Sequence, residues 1–129
     1  MLFYRLALPL LLAMSMNNAS AADKTYDVHF FKGTTGISYQ DVVIKRDANA
    51  YRLRGRAEQR LKVRLSLRDQ EATYFNITTL DGVSLYDGSS EGNSASLLLP
   101  YDGDFIIHVF NMGDNIDKRV PYQLSISLK

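Results

Sequence analysis

The chain has 129 residues, of which 46% are hydrophobic, and its formal net charge is +1. It contains no cysteine, which excludes disulfide bonds, thiolate metal sites and thiol redox chemistry. The near-neutral total conceals two opposed blocks. Residues 45–68 hold nine Lys or Arg against two acids, whereas residues 69–117 hold nine acids and no Lys or Arg.

The first 21 residues predict a secretory signal peptide. Arg5 supplies a positive charge, residues 6–14 form an apolar run, and Ala19-Ser20-Ala21 is a small-residue cleavage site. The run is too short for a membrane helix, which needs about 20 apolar residues, and no cysteine follows that could carry a lipid anchor. We therefore expect a periplasmic or secreted protein without a membrane anchor, with residues 22–129 forming one domain. The lack of cysteine favours a bacterial periplasm.

Alternation of apolar and polar residues dominates the rest of the chain. Leu61, Val63 and Leu65 alternate with charged or polar neighbours, which is typical of strands with one buried face. The pattern predicts strands at residues 25–32, 37–45, 51–56, 60–68, 73–79, 94–99, 104–111 and 120–128, with a possible short strand at 83–86. About eight short strands separated by turn residues predict an all-β protein, either an antiparallel β-sandwich or a flattened barrel.

Residues 94–111 contain two apolar runs separated by Pro100-Tyr101-Asp102-Gly103. Proline fixes φ and glycine accepts positive φ, so this break predicts a β-hairpin whose acidic and aromatic tip points into solvent. In the second run we expect Phe105, Ile107 and Val109 to face the core. The opposite set is a candidate homodimer surface and consists of Ile106, His108 and Phe110.

Catalytic and metal-binding patterns are weak. His29 and His108 each lie within a predicted strand between large apolar residues, no Gly-x-Ser-x-Gly motif occurs, and no pair of acids is spaced as an acid and a base. Asp102-Gly103-Asp104 and residues 114–117 resemble only fragments of calcium loops and are better explained as turn acids. We expect a protein that is not an enzyme and needs neither a cofactor nor a metal.

The two charged blocks suggest two kinds of partner. If the strands at 51–56 and 60–68 pair, they form one basic face made of Arg52, Arg54, Lys62 and Arg64. Such a face could bind an anionic envelope polysaccharide, or it could be a solvated face that discourages edge pairing. It lacks the aromatics of a nucleic-acid platform. Acids at predicted turns near Tyr86, Tyr101 and Phe105 could instead form a rim for a basic protein, or could simply favour turns.

Five short motifs occur in a recognisable order: VHFFKG at 28–33, ATYFN at 72–76, GSSEGN at 88–93, LPYDGDF at 99–105 and YQLSI at 122–126. From residue 28 to residue 128 the chain resembles small exported β-proteins related to bacterial periplasmic inhibitors of i-type and g-type lysozyme. Those proteins are similar in layout to pre-peptidase C-terminal sandwich modules.

The resemblance implies an inhibitor that blocks a lysozyme cleft with an inserted loop. The loop would comprise Tyr101, Asp102, Gly103, Asp104 and Phe105. A second contact would come from the loop before the last strand, with Asp114, Lys118 and Arg119. The family pattern Ser-Gly-x-Tyr after Leu-Pro falls on residues 102–105, so Asp102 and Phe105 stand where the family has Ser and Tyr.

Overall fold

The structure, a computed structural model, describes residues 24–68 and 72–129. The predicted signal peptide lies outside the described residues. The strands are β1 (Lys24–Asp27), β2 (Gly36–Ile44), β3 (Ala48–Gly55), β4 (Arg60–Leu67), β5 (Thr73–Thr79), β6 (Ser84–Asp87), β7 (Ser94–Leu98), β8 (Gly103–Asn111) and β9 (Arg119–Leu128). A single helical turn, α1 (Gly88–Glu91), precedes β7, and a 3-10 turn (Gly113–Asp117) precedes β9.

The strands form two facing sheets. One has five strands in the order β1-β3-β8-β5-β6, and the other has four in the order β2-β9-β4-β7. The pairs are antiparallel except for β1 with β3, which is parallel. The prediction of an all-β antiparallel sandwich is therefore confirmed, with nine strands and without closure into a barrel.

Alternating apolar residues fill the space between the sheets. On β4, Leu61, Val63 and Leu65 are buried while their neighbours face solvent, and β9 repeats this pattern from Val120 to Leu128. These side chains join one core cluster with the inward residues of the five-stranded sheet, which include Phe75, Ile77, Phe105 and Ile107. Burying one such side chain stabilises the fold by roughly 1.5–3 kcal/mol. The alternating pattern therefore determines which face of each strand points into the core.

Two local predictions were wrong. β7 pairs with β4 in the four-stranded sheet, whereas β8 pairs with β3 and β5 in the five-stranded sheet. The connection at residues 99–102 is therefore an arch between the sheets and not a hairpin turn. The first strand is also shorter than predicted and ends at Asp27, because after Val28 the chain leaves the sheet to cross toward β2. The short extra strand is present as β6.

Three side chains join the edge strands β1 and β2 across the two sheets. Lys24 Nζ donates to Asp41 Oδ1 at 2.8 Å, and the Tyr26 hydroxyl donates to Asp41 Oδ2. Partial burial alone would raise the pKa of Asp41. Hydrogen bonds from Lys24, Tyr26 and the Val42 N–H outweigh it and hold that pKa below its ordinary value. The Tyr26 ring also stacks on Tyr51, with the centroids 5.0 Å apart.

The outer face of β8 carries Ile106, His108 and Phe110, and all three are half-buried within their own sheet. Burial lowers the pKa of the His108 imidazole. A homodimer through this face stays a prediction.

Candidate functional site

The two ends of the sandwich carry different loops. At one end of the sandwich β3, β5, β7 and β9 finish and β8 begins, and we call this end the tip end. The opposite end, where β8 finishes, is the far end. Four connections reach the tip end, at residues 28–35, 56–59, 80–83 and 99–102. Since β8 has nine residues that each rise about 3.3 Å, the two ends lie about 27 Å apart.

Exposed apolar side chains concentrate at the tip end. Among the described residues, six large hydrophobic side chains are exposed, and five of them lie in or next to the tip-end connections: Phe31, Leu80, Val83, Leu98 and Tyr101. The sixth, Met112, lies at the far end. Single exposed apolar residues are ordinary, but a group of them on one surface marks interaction sites. The tip end is therefore the best candidate for a partner-binding surface.

Hydrogen bonds hold the arch at residues 99–102 against the β3–β4 turn. The Glu58 N–H donates to the Leu99 carbonyl at 2.9 Å, and the Leu99 N–H donates to the Gln59 carbonyl at 2.9 Å. The carboxylate of Asp102 accepts from the Ala57 N–H at 2.7 Å. Because these bonds join the two loops, the tip is shaped before any partner arrives, which reduces the entropy lost on binding.

The two aromatic residues of the tip have different environments. Tyr101 is 43% exposed, whereas Phe105 is fully buried in the core. The Phe105 ring is therefore not presented to solvent at the tip, and its part in partner binding stays a prediction. The two rings lie 5.3 Å apart, and a Cβ on Gly103 would come within 3.0 Å of the Tyr101 ring. Gly103 thus lets Tyr101 lie close to the backbone above Phe105.

The two departures from the family pattern have structural explanations. Phe105 points into the core, where a tyrosine hydroxyl would need a buried partner. Asp102 uses a carboxylate oxygen to bind the Ala57 N–H, so its side chain shapes the arch.

The loop before β9 does not join the tip. Asp114, Lys118 and Arg119 lie at the far end, where the Asn111 side chain donates to the carbonyls of Lys45 and Lys118. The length of β8 separates this loop from the arch, and the part of Asp114, Lys118 and Arg119 in partner binding stays a prediction.

The predicted basic face is divided between the two sheets. β3 belongs to the five-stranded sheet and β4 to the four-stranded sheet, so Arg52 and Arg54 point away from Lys62 and Arg64. The prediction of one shared face is wrong because β3 and β4 do not pair.

In the described part of the chain, the arginines of β3 are paired with an acidic residue, unlike Lys62 and Arg64 of β4. Asp104 lies beside the two arginines of β3, accepting from Arg52 at 2.7 Å and from Arg54 at 3.3 Å. The hydrogen bond from Arg52 is the largest cause that lowers the pKa of the Asp104 carboxyl. Asp104 is therefore a partner of those arginines and is not part of the solvent-facing tip.

A single acidic rim does not form. Asp81 and Asp102 lie at the tip end, Asp114 and Asp117 lie at the far end, and Asp87 caps α1 by accepting from the Ser89 N–H. The predicted rim aromatic Tyr86 is buried; its ring stacks on Phe75 at 5.1 Å, and its hydroxyl donates to the Gly92 carbonyl at 2.5 Å. Turn formation explains most of these acids.

Sequence patterns missed the apolar contributors Phe31, Leu80 and Val83. One signal was available, because Leu80 and Val83 are apolar residues that directly flank the turn pair Asp81-Gly82. In the structure the Thr79 N–H donates to the Val83 carbonyl at 2.9 Å, and Gly82 adopts φ +90°. This tight turn leaves both side chains exposed.

Among residues 24–68 and 72–129, no three His, Asp or Glu side chains are grouped so that they could hold a metal ion. In the same part of the chain no helix has the length and apolar character needed to cross a membrane.

Comparisons with known proteins identify similar structures. No protein-family model matches the sequence, and no curated protein sequence matches it. A periplasmic inhibitor of g-type lysozyme, PliG from Aeromonas hydrophila, superposes with a TM-score of 0.72 at 23% identity, over 82% of this chain and 96% of that protein. Salmonella Typhimurium PliG gives 0.68 at 24% identity, over 84% and 100%. The pre-peptidase C-terminal domain of a Bacillus anthracis collagenase gives 0.61 at 9% identity, over 86% and 100%.

These likenesses bear on the resemblance noted in the sequence. Both protein classes named there, the periplasmic lysozyme inhibitors and the pre-peptidase C-terminal modules, share the fold of this chain. The resemblance is therefore confirmed, and at this level of identity it establishes a common fold.

Proposed function

We propose that this protein is a non-enzymatic periplasmic inhibitor of g-type lysozyme that blocks the enzyme's cleft with its tip end. The observation that carries the proposal is the concentration of exposed apolar side chains in the tip-end loops. The choice of partner is supported by the fold shared with two periplasmic inhibitors of g-type lysozyme.

Tyr101 is the proposed anchor of the contact. It lies in the arch between Pro100 and Asp102, which is braced against the β3–β4 turn. A tyrosine can bury about 200 Å², so its 43% exposure leaves roughly 90 Å² for a partner to cover. At about 25 cal/mol per Å² that area contributes about 2 kcal/mol, or about 30-fold in affinity. Aromatic residues of this size are typical interface hot spots.

Asp102 and Gly103 have supporting roles in this proposal. Asp102 fixes the arch through the Ala57 N–H, and Gly103 admits the Tyr101 ring. Phe105 contributes through the core alone. The far-end residues Asp114, Lys118 and Arg119 lie about 27 Å from the arch by strand length, so the proposed contact does not include them.

The test measures g-type lysozyme activity on cell walls while the purified protein is titrated in. The protein is obtained by expressing the 129-residue sequence in a bacterial host. We expect inhibition by the unaltered protein and a loss of about 30-fold in inhibitory potency for Tyr101→Ala. Met112→Ala is the matched control, because Met112 is 41% exposed and lies at the far end; it should inhibit like the unaltered protein.

Two outcomes would contradict the proposal. One is the absence of inhibition by the unaltered protein at micromolar concentration. The other is an equal loss in Tyr101→Ala and Met112→Ala, which would mean that the contact is not confined to the tip end. Parallel assays with i-type lysozyme would show whether the inhibitor discriminates between the two enzyme classes.

A further inference from the structure

The outer face of the four-stranded sheet carries one sign of charge. β4 places Arg60, Lys62 and Arg64 on this face, and β9 adds Arg119. None of the outward-facing residues of its four strands is Asp or Glu. Within residues 24–68 and 72–129, no carboxylate lies within 4.0 Å of Lys62 or Arg64. The opposite face of the sandwich differs, because Asp104 lies there between Arg52 and Arg54 and the face carries both signs of charge.

A shallow depression of about 750 Å³ crosses this face, and we call it the serine groove. Strand register sets its first row, in which Ser38, Ser125, Arg64 and Ser94 are successive cross-strand neighbours. The second row contains Ser127, Lys62 and Ser96. Five short hydroxyl side chains therefore surround two long cationic ones, which explains the concave surface. Neighbouring strands lie about 4.8 Å apart, so the first row spans about 14 Å.

The chemistry of the groove selects its ligand. Serine hydroxyls both donate and accept hydrogen bonds, so they suit a molecule rich in hydroxyl groups. Lys62 and Arg64 supply only donors and positive charge, which suit carboxylates. No aromatic residue faces outward on the four strands, so the groove offers no platform for stacking bases.

We propose that the serine groove binds an anionic polysaccharide, a chain of sugars bearing carboxylates. The hydroxyls would bind the sugar rings, and the two cations would bind the acidic groups. This site is separate from the tip end, since it lies on the face of a sheet and not among the loops. The two proposals can therefore fail independently.

The test measures binding of alginate, a linear polyuronate, to the purified protein by titration calorimetry at low salt. We expect binding of alginate and none of neutral dextran. Raising the salt from 50 to 200 mM should weaken binding roughly tenfold, as expected for about two ionic contacts. The double variant Lys62→Gln/Arg64→Gln should weaken it at least about tenfold while leaving lysozyme inhibition unchanged.

Two further variants separate a built site from general attraction to positive charge. Arg54→Gln/Arg56→Gln removes the same charge from exposed positions outside the groove and leaves the Arg52–Asp104 pair intact; its affinity for alginate should change less than about twofold. Ser94→Val/Ser125→Val keeps the charge and the strand propensity but removes two hydroxyls, and it should weaken binding at least about threefold.

Several results would overturn the proposal. These are no binding of alginate at 50 mM salt, equal losses in the two charge variants, and unchanged affinity in the serine variant. Tighter binding of a single-stranded oligonucleotide than of alginate would replace the polysaccharide with nucleic acid as the ligand.

Discussion

A close contact beneath the arch gives the sharpest test of how the tip is held. Gly55, the last residue of β3, faces Leu99, which is 2% exposed. A Cβ at position 55 would come within 2.3 Å of Leu99 Cδ1 and 3.4 Å of Leu128 Cδ2. Gly55→Ala therefore overpacks the core, and we expect it to lower the free energy of unfolding by about 1–3 kcal/mol.

The partner variant Leu99→Ala leaves a cavity instead, and it should cost about 2–5 kcal/mol. When both changes are present, the new methyl group enters space that the leucine has vacated. The double variant should therefore be no less stable than Leu99→Ala alone, and the two single effects should fail to add by about 1–3 kcal/mol. This coupling is a direct consequence of the predicted clash.

Equilibrium unfolding in urea measures all three variants. Gly36→Ala is the matched control, because a Cβ there meets only the Ile126 carbonyl at 3.6 Å, an ordinary contact. It should be neutral or slightly stabilising. The reasoning would be refuted if Gly55→Ala were as harmless as Gly36→Ala, or if the effects of Gly55→Ala and Leu99→Ala added within about 0.5 kcal/mol.

Two more predictions concern polar side chains. Because the folded state holds the pKa of Asp41 below its ordinary value, the stabilisation from Asp41 is present at neutral pH and is lost as the pH falls below about 4. The melting temperature of Asp41→Asn should thus lie below that of the unaltered protein at pH 7 and approach it under acid; a constant gap would contradict this. Asn111→Ala removes the acceptor of the Thr73 hydroxyl at 2.6 Å and two donated bonds at the far end. It should lower the free energy of unfolding by about 3 kcal/mol in urea, and an effect below about 0.5 kcal/mol would be inconsistent with a buried network.

Local patterns predicted the strands well because alternation reports which face of a strand is buried. The same rule had already assigned Phe105 to the core face together with Ile107 and Val109. The placement of Phe105 at a binding tip came from the family pattern and conflicted with the alternation. The alternation predicted the position of Phe105 correctly, because burying its large apolar side chain in the core stabilises the fold.

Strand pairing could not be predicted in the same way. The turn residues from Pro100 to Gly103 are compatible with two arrangements. The flanking strands can pair with each other, or they can join different sheets. The choice depends on residues far away in the chain, since β7 needs β4 and β8 needs β3 and β5. The error about the basic face has the same cause, since β3 and β4 join different sheets. The serine groove also depends on it, because its rows combine four strands.

The position of β9 has a consequence for how the chain folds. β2 pairs only with β9, and β4 reaches β2 only through β9, so the last strand of the chain lies inside the four-stranded sheet. That sheet stays incomplete until residues 119–127 are available, because residues 36–44 pair with them. Such distant pairings make folding slow compared with helical proteins of this size. The four-stranded sheet is therefore completed by the pairing that is most distant in sequence, between β2 and β9.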